Sequence, residues 1–193
     1  FARIKAVYEQ QDKETLSPEQ HKLLEDIYNG FVRNGANLLG EDKEKYRALC
    51  KELSLLTLQF SENNLKETND YKLVITDKSQ LAGLPESAVE AAAETAGEKG
   101  VEGWVFTLQA PSYGPFLTYA DSRDLRRELY MAYNTKCTHD NASNNLEIVK
   151  KLANVRMEIA QLLGYDNFAE YNLQERMAQN SESVYKLLDQ LLE

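Results

Sequence analysis

Helical periodicity is plain in YRALCKELSLLTLQF, residues 46–60. Apolar side chains recur there at spacings of three and four, which places them on one face of an α-helix. Three further stretches, within residues 23–31, 148–163 and 184–191, repeat the pattern. The four apolar stripes consist of Tyr46, Leu49, Leu53, Leu56 and Phe60; Leu23, Leu24, Ile27 and Phe31; Ile148, Leu152, Val155, Ile159 and Leu163; and Val184, Leu187, Leu188 and Leu191. Because each stripe must be buried against another element, the sequence predicts a mainly α fold, a helical bundle or array.

The predicted helix boundaries carry suitable capping residues. Ser17-Pro18-Glu19-Gln20 predicts a capping box with proline at the first helical position. Gly164 suits the left-handed residue that closes a helix, and Asp166 is the expected N-cap of the short helix that follows. Two further N-caps are each expected at one of two neighbours, namely Asp121 or Ser122, and Asn180 or Ser181.

One interval departs from the helical pattern. Residues 71–76 and about 104–109 are short runs of β-branched and aromatic residues, which favour strands. A helix is expected between them, from Pro85 to about Ala96, and the turn-rich segment Ala110–Pro115 is expected to link back to the helices. The sequence thus predicts a small two-stranded β element, within an α/β insertion at 71–109, and leaves its pairing direction open.

Composition narrows the class of protein. The 193 residues are 42% hydrophobic and 27% charged, as in ordinary globular proteins. A net charge of −9 disfavours nucleic-acid binding. No run of about 18 apolar residues predicts a membrane span, and no signal peptide is visible. The two cysteines, Cys50 and Cys137, are far apart, so a reducing cytoplasm is the simplest expectation.

The two ends of the sequence lack helix start and stop signals. Phe1–Tyr8 has the pattern of an amphipathic helix without a preceding cap, and Val184–Leu192 has no following Gly, Asn or Pro. We therefore expect residues 1–193 to be one helical fragment of a larger protein. The alternative is a pair of terminal helices whose caps lie outside this sequence.

No catalytic, cofactor-binding or metal-binding residue is predicted in the chain. His21 and His139 are the two histidines, and neither lies in an HExxH motif, whose spacing puts two imidazoles on one helix face. The segment Cys137–Asp140 contains thiol, imidazole and carboxylate groups, which permits a thiol enzyme. A polar loop that precedes the helix at Leu146 is the favoured interpretation.

Three other residue groups permit binding roles. The glycines 97, 100 and 103 do not match a phosphate loop and are interpreted as turn residues. Arg123, Arg126 and Arg127 could hold a carboxylate or phosphate, but ion pairs with acidic neighbours are favoured. The tyrosines either line a peptide groove or lie at the edge of the core, and this choice stays open for Tyr113, Tyr119, Tyr130, Tyr133, Tyr165 and Tyr171.

Two sequence blocks carry a family resemblance. The first is APSYGPFLTYA at residues 110–120, followed by Arg123, Arg126, Glu128, Tyr130, Ala132 and Tyr133. The second and more specific block consists of Asn145, Ile148, Leu152, Arg156, Ala160, Leu162-Leu163-Gly164-Tyr165, Phe168-Ala169, Tyr171, Leu173 and Met177-Ala178. Together they resemble the thimet oligopeptidase and peptidyl-dipeptidase family of zinc metallopeptidases, and look most similar to its bacterial peptidyl-dipeptidase branch.

The resemblance implies a large α-helical fold divided by a deep channel. In that family an HExxH helix and a later Glu hold zinc, downstream of the region matched here. The implied role of this fragment is therefore a non-catalytic wall of the channel in a cytoplasmic zinc oligopeptidase. That parent protein would hydrolyse short peptides, either internally or by release of C-terminal dipeptides.

The resemblance also implies the partners. Short peptides are expected to bind the parent protein. The catalytic half of the same chain is expected to bind this segment. Zinc is expected in the parent protein and none in the fragment, and neither nucleic acid nor membrane is expected as a partner. Exposed helix faces would allow self-association. The alternative function is a standalone helical module that binds a protein or peptide without catalysis.

Overall fold

Helices dominate the computed structural model, which describes residues 1–10 and 15–192. Nine α-helices occur within these residues: α1 (Ala2–Tyr8), α2 (Pro18–Arg33), α3 (Gly40–Asp70), α4 (Glu86–Glu98), α5 (Ala110–Tyr119), α6 (Arg123–Asn134), α7 (Leu146–Leu162), α8 (Phe168–Leu173) and α9 (Ser181–Leu192). The predicted mainly α class is confirmed. None of these described helices has the length and apolar character needed to cross a membrane.

Two short strands form the β element. Strands β1 (Leu73–Ile75) and β2 (Trp104–Phe106) pair in antiparallel register, with Val74 opposite Val105. The prediction of a two-stranded element is confirmed, although both strands are shorter than the predicted runs. A short 3₁₀ helix, Lys78–Leu81, and α4 connect the strands.

Glycine at position 103 lets the two strands approach closely. Its φ is +102°, and a Cβ there would lie 2.3 Å from the carbonyl oxygen of Ile75. A side chain at this position would therefore collide with the backbone of β1.

The chain divides into two compact units, one formed by residues 1–55 and 152–193 and the other by residues 56–151. The second unit has a continuous hydrophobic core under the strands, α4, α5 and α6. Phe106 and Phe116 meet edge to face at its centre, with ring centroids 4.5 Å apart. Its fully or nearly buried members are Leu73, Ile75, Leu81, Ala92, Phe106, Leu108, Phe116, Ala120 and Leu129.

In the first unit, aromatic rings join α1 to α2. The ring of Tyr28 stacks on that of Tyr8 with centroids 3.8 Å apart, and on that of Phe1 at 5.9 Å. On α7, the part of the apolar stripe within this unit is buried at Leu152, Val155 and Ile159. The predicted burial of this stripe is confirmed.

The same prediction is wrong for the stripes on α2 and α9. Leu23 on α2 is 60% exposed, and Leu191 on α9 is 74% exposed. Neither helix contains a buried residue. The physical reason is the small size of their neighbours, since α1 packs on α2 and the six-residue α8 packs on α9. Two apolar helix faces are therefore left in solvent within the described chain.

Most predicted caps are confirmed. The Gln20 N–H donates to Ser17 Oγ at 3.4 Å, and the Ser17 N–H donates to Gln20 Oε1 at 2.9 Å. Gly164 has the expected positive φ. The remaining caps are Ser122 for α6 and Asn180 for α9.

The cap predicted at Asp166 is wrong by one residue. Asn167 fills that role, because its Oδ1 accepts the Glu170 N–H at 3.0 Å.

The turn-rich link predicted at Ala110–Pro115 is also wrong, because this segment forms the first half of α5. Pro111 sits in the first turn of α5, where a missing N–H costs no hydrogen bond. The Tyr113 N–H donates to the Gln109 carbonyl at 2.8 Å and so starts the helical ladder. Pro115 removes one bond of that ladder without ending the helix.

Candidate functional site

A surface cavity of about 540 Å³ lies in the second unit. Its walls come from the C-terminal end of α3, the second half of α6 and the loop that connects α6 to α7. Leu108, Met131 and Ala132 form its apolar part. Its lining residues that carry a charge or an imidazole are Lys66, Glu67, Asp70, Lys136 and His139. Small-molecule sites also combine an apolar wall with polar groups that fix the orientation of the ligand.

Glu67 holds the α6–α7 loop against α3. Its Oε2 accepts the backbone N–H of Cys137 at 2.6 Å, and its Oε1 accepts from Asn141 Nδ2 at 2.9 Å. Burial by itself would raise the pKa of Glu67, but these two hydrogen bonds, helped by the nearby positive charges of His139 and Lys66, offset it and leave the pKa below its ordinary value. Cys137 has a φ of +57°, so the carboxylate stabilises a residue in an uncommon backbone conformation.

Asn145 makes a second attachment between the same loop and α3. Its Nδ2 donates to the Phe60 carbonyl at 3.1 Å, and its Oδ1 accepts from Asn63 Nδ2 at 2.8 Å. Its backbone N–H donates to the Cys137 carbonyl at 2.7 Å. Since Asn145 is only 4% exposed, these bonds satisfy a buried amide and hold the loop in one conformation.

The two lysines of the cavity differ in their partners. Lys66 is neutralised by Asp70, with 2.5 Å between Nζ and Oδ2. Lys136 donates to Thr68 Oγ1 at 2.9 Å, and its ammonium lies 4.3 Å from the centre of the Tyr133 ring. Among the described residues, Lys136 has no carboxylate partner, so its positive charge has no compensating ion pair.

Tyr71 also lines the cavity, and its hydroxyl is buried. No hydrogen-bond partner for that hydroxyl exists among residues 1–10 and 15–192. Burial raises the pKa of Tyr71, and the negative charge of Glu128 raises it further. The hydroxyl therefore stays protonated and is an uncompensated buried polar group.

Cys137 and His139 do not form a nucleophile and base pair. The thiol is 4% exposed, and burial raises its pKa, with a further rise from the charge of Glu67. His139 is exposed, and its Nε2 lies 3.4 Å from Thr135 Oγ1. An activated cysteine needs a lowered pKa and access to solvent, so the geometry opposes the thiol-enzyme hypothesis and favours the polar loop.

The histidines are not brought together with other metal ligands. His21 lies on α2 in the first unit, and His139 belongs to the second. No group of three or more His, Cys, Asp or Glu side chains able to hold a metal ion occurs in the described part of the chain. The described residues therefore do not fit a zinc site.

The three arginines do not form the ion pairs that the sequence favoured. Arg126 donates to the carbonyl oxygens of Ala120 and Asp121, the latter at 3.0 Å. Within the described residues, neither Arg123 nor Arg127 pairs with a carboxylate. Arg126 thus stabilises the turn between α5 and α6, because the carbonyls at the end of α5 need donors.

The predicted tyrosines fall in both units. In the second unit, Tyr113 stacks on Tyr133 with centroids 4.3 Å apart, while Tyr119 and Tyr130 are each 52% exposed. Burial raises the pKa of Tyr113, which stays protonated.

In the first unit, Tyr165 and Tyr171 surround Arg33. The Arg33 guanidinium forms an ion pair with Glu175 at 2.9 Å and donates to Gln174 Oε1 at 2.6 Å. It also donates to the Tyr171 carbonyl at 2.7 Å and lies 4.4 Å from the Tyr171 ring centre. Through these contacts Arg33 anchors α2 to the segment after α7.

Nothing in the sequence alone singles out Arg33, Glu67 or Lys136. Each lies in an ordinary charged stretch, and the contacts that distinguish it come from residues 68 to 141 positions away. No local motif signals such a contact. The one available signal was Asn145, which belongs to the second resemblance block.

Comparison with known proteins identifies relatives across the chain. Residues 116–193 match the model of Peptidase family M3. Oligopeptidase A of Haemophilus influenzae is 37% identical over 178 residues, which cover 90% of this chain and 26% of that protein. Dipeptidyl carboxypeptidase of Escherichia coli is 32% identical over 193 residues, or 100% of this chain and 28% of that protein.

A plant protein shows similar coverage. The probable cytosolic oligopeptidase A of Arabidopsis thaliana is 36% identical over 99% of this chain and 28% of its own length. The chain thus spans about a quarter of the length of these relatives.

Proposed function

Because the chain belongs to the thimet oligopeptidase and peptidyl-dipeptidase family, Peptidase family M3, we propose that it is a non-catalytic, helical part of a zinc oligopeptidase. The parent protein would hydrolyse short peptides, and this segment would form part of the channel wall. The observation that carries the proposal is sequence identity of 32–37% across 90–100% of the chain with named peptidases.

Zinc belongs to the part of the parent protein outside this segment. A bound zinc would activate water for attack on the scissile carbonyl. The residues of this chain would contribute packing surface to the catalytic part, and the apolar faces of α2 and α9 are suited to that role. As a further part of the proposal, the parent acts in the cytoplasm, which the cytosolic name of the Arabidopsis relative supports.

A peptidase assay tests the proposal. A short quenched-fluorescent peptide is incubated with this chain and with the full-length protein that contains it, with and without a zinc chelator. We expect cleavage by the full-length protein alone, abolished by the chelator and restored by zinc. Cleavage by the isolated chain, or no cleavage by either protein, would overturn the proposal.

The alternative function is a helical module that binds peptides without catalysis. The open cavity in the second unit favours it, because that cavity combines an apolar wall with unpaired charges. Inactivity of the full-length protein together with peptide binding would support this alternative.

Self-association of the isolated chain is a separate expectation. Leu187, Leu188 and Leu191 on α9 are all exposed, at 48–74%. Light scattering coupled to size exclusion should show oligomers that dissociate when Leu188 and Leu191 are replaced by Glu. A monomer at high concentration would contradict this expectation.

A further inference from the structure

We propose that the cavity of the second unit is a binding site for a short zwitterionic ligand with an apolar side chain, a dipeptide or a free amino acid. Lys136 would bind the ligand carboxylate, and Glu67 would bind its ammonium group. The site would bind its ligand whether or not the parent protein is a peptidase.

The cavity contains two side chains of opposite charge, Lys136 and Glu67. Neither has an oppositely charged partner at ion-pair distance among the described residues. Glu67 accepts from two neutral donors, and Lys136 donates to a hydroxyl and faces a ring. In contrast, Lys66 and Asp70 in the same cavity neutralise each other. Among the described residues, one carboxylate and one ammonium group of the cavity are therefore left without an ion pair, and together they complement a zwitterion. The positive charges of His139 and Lys66 act on Glu67 from beyond ion-pair distance.

Glu67 and Lys136 both keep free hydrogen-bonding capacity. A carboxylate offers about four acceptor positions, and Glu67 uses two of them inside the protein. An ammonium group has three donors, and Lys136 uses one for Thr68 Oγ1. Both groups are held in place by these internal bonds and still have capacity for a ligand, so little ordering is needed on binding.

The size and the apolar wall of the cavity suit a dipeptide or an amino acid. A cavity of about 540 Å³ is within the usual range for small-molecule sites. An extended dipeptide is roughly 7 Å long at about 3.5 Å per residue. Leu108, Met131 and Ala132 supply the apolar wall for a side chain such as leucine. Met131 suits this role because its side chain is flexible and 42% exposed.

Titration of the chain with four ligands tests the proposal, with amide NMR signals as the readout. The ligands are Ala-Leu, N-acetyl-Ala-Leu, Ala-Leu amide and free leucine. We expect Ala-Leu to shift the signals of Thr135 and Asn141, which line the cavity. Each blocked dipeptide should bind about tenfold or more weakly, because it loses one charged hydrogen bond. A preference for Ala-Leu over leucine would assign the site to peptides, and equal binding would assign it to amino acids.

The variant Lys136→Met isolates the carboxylate contact. It should bind Ala-Leu and Ala-Leu amide equally weakly, since the group that distinguishes them has lost its partner. The matched control Lys150→Met removes a surface lysine that pairs with Glu147 and lies outside the cavity. This variant should bind Ala-Leu as the unsubstituted chain does. Circular dichroism melting checks that both variants fold.

Equal binding of Ala-Leu and its two blocked forms by the unsubstituted chain would overturn the proposal. That comparison needs no variant, so it decides the question even if Lys136→Met fails to fold.

Discussion

Replacement of Glu67 by Ala should release the α6–α7 loop. The change removes a 2.6 Å hydrogen bond from the Cys137 N–H and a 2.9 Å bond from Asn141 Nδ2. A partly buried hydrogen bond to a charged group contributes about 1.5–3 kcal/mol, and the exposed Asn141 bond adds less than about 1 kcal/mol. The free energy of loop opening should therefore fall by about 2–4 kcal/mol.

Labelling of the Cys137 thiol measures that opening directly. In a Cys50→Ser background, Cys137 is the remaining thiol, and it is 4% exposed in the folded chain. Because an opened loop exposes the sulfur, Glu67→Ala should accelerate labelling between about 30-fold and about 1,000-fold at pH 7. Urea titration should show a matching loss of stability if the loop opens only on global unfolding.

Glu67→Gln should have an intermediate effect. The Gln oxygen still accepts the Cys137 N–H, but its amide N–H₂ faces the Asn141 amide, another donor. Asn141 cannot rotate without cost, because its Oδ1 already accepts the Ser143 N–H at 2.8 Å. The control Glu62→Ala, on the exposed side of α3, should change stability by less than about 0.5 kcal/mol.

The pH dependence follows from the same contacts. The pKa of Glu67 is lower in the folded chain than in the unfolded chain. The contribution of Glu67 to the stability of the folded chain is therefore present above the unfolded pKa of about 4.3. It is lost as the pH falls through the folded pKa. Acidification from pH 5 to pH 3 should destabilise the unsubstituted chain more than it destabilises the Glu67→Ala variant. Unchanged labelling and an unchanged acid response in Glu67→Ala would refute this explanation of the loop.

Three further substitutions test single contacts by urea titration. Tyr71→Phe removes a buried hydroxyl that has no partner in the described part of the chain, so stability should be unchanged or rise by up to about 1 kcal/mol; a clear loss would reveal a partner for the hydroxyl. Arg33→Lys keeps the charge but loses the planar fork that binds Glu175, and it should cost about 2 kcal/mol; a cost below about 0.5 kcal/mol would contradict an anchoring role. Gly103→Ala places a Cβ 2.3 Å from the Ile75 carbonyl oxygen and should cost about 2–3 kcal/mol, whereas an unchanged midpoint would contradict the close approach of the strands.

Several elements of the fold could be predicted because their causes are local. The box at Ser17 and Gln20 and the left-handed Gly164 depend on residues within a few positions of each other. The stripe on α7 depends on a 3.6-residue period that the sequence displays. The family resemblance depended on residue identity along the chain, and it was confirmed by relatives over 90–100% of its length.

Two features of the fold differ from the prediction because they depend on tertiary contacts. Pro111 and Pro115 indicated a turn at Ala110–Pro115, yet proline is tolerated in the first turn of α5, and that helix carries the fully buried Phe116. Amphipathic patterns on α2 and α9 predicted burial, but a pattern shows only which face is apolar. Whether a neighbour large enough to cover that face exists is a tertiary property.

The amino-acid order was therefore sufficient for the helical class, the position of the β element and the family. Tertiary structure alone brought Glu67 and Lys136 to one cavity, although they are 69 positions apart, and left each without an ion-pair partner among residues 1–10 and 15–192. The physical reason is range. Backbone preferences and helical periods act over a few residues, whereas burial, charge pairing and cavity shape depend on which distant segments meet.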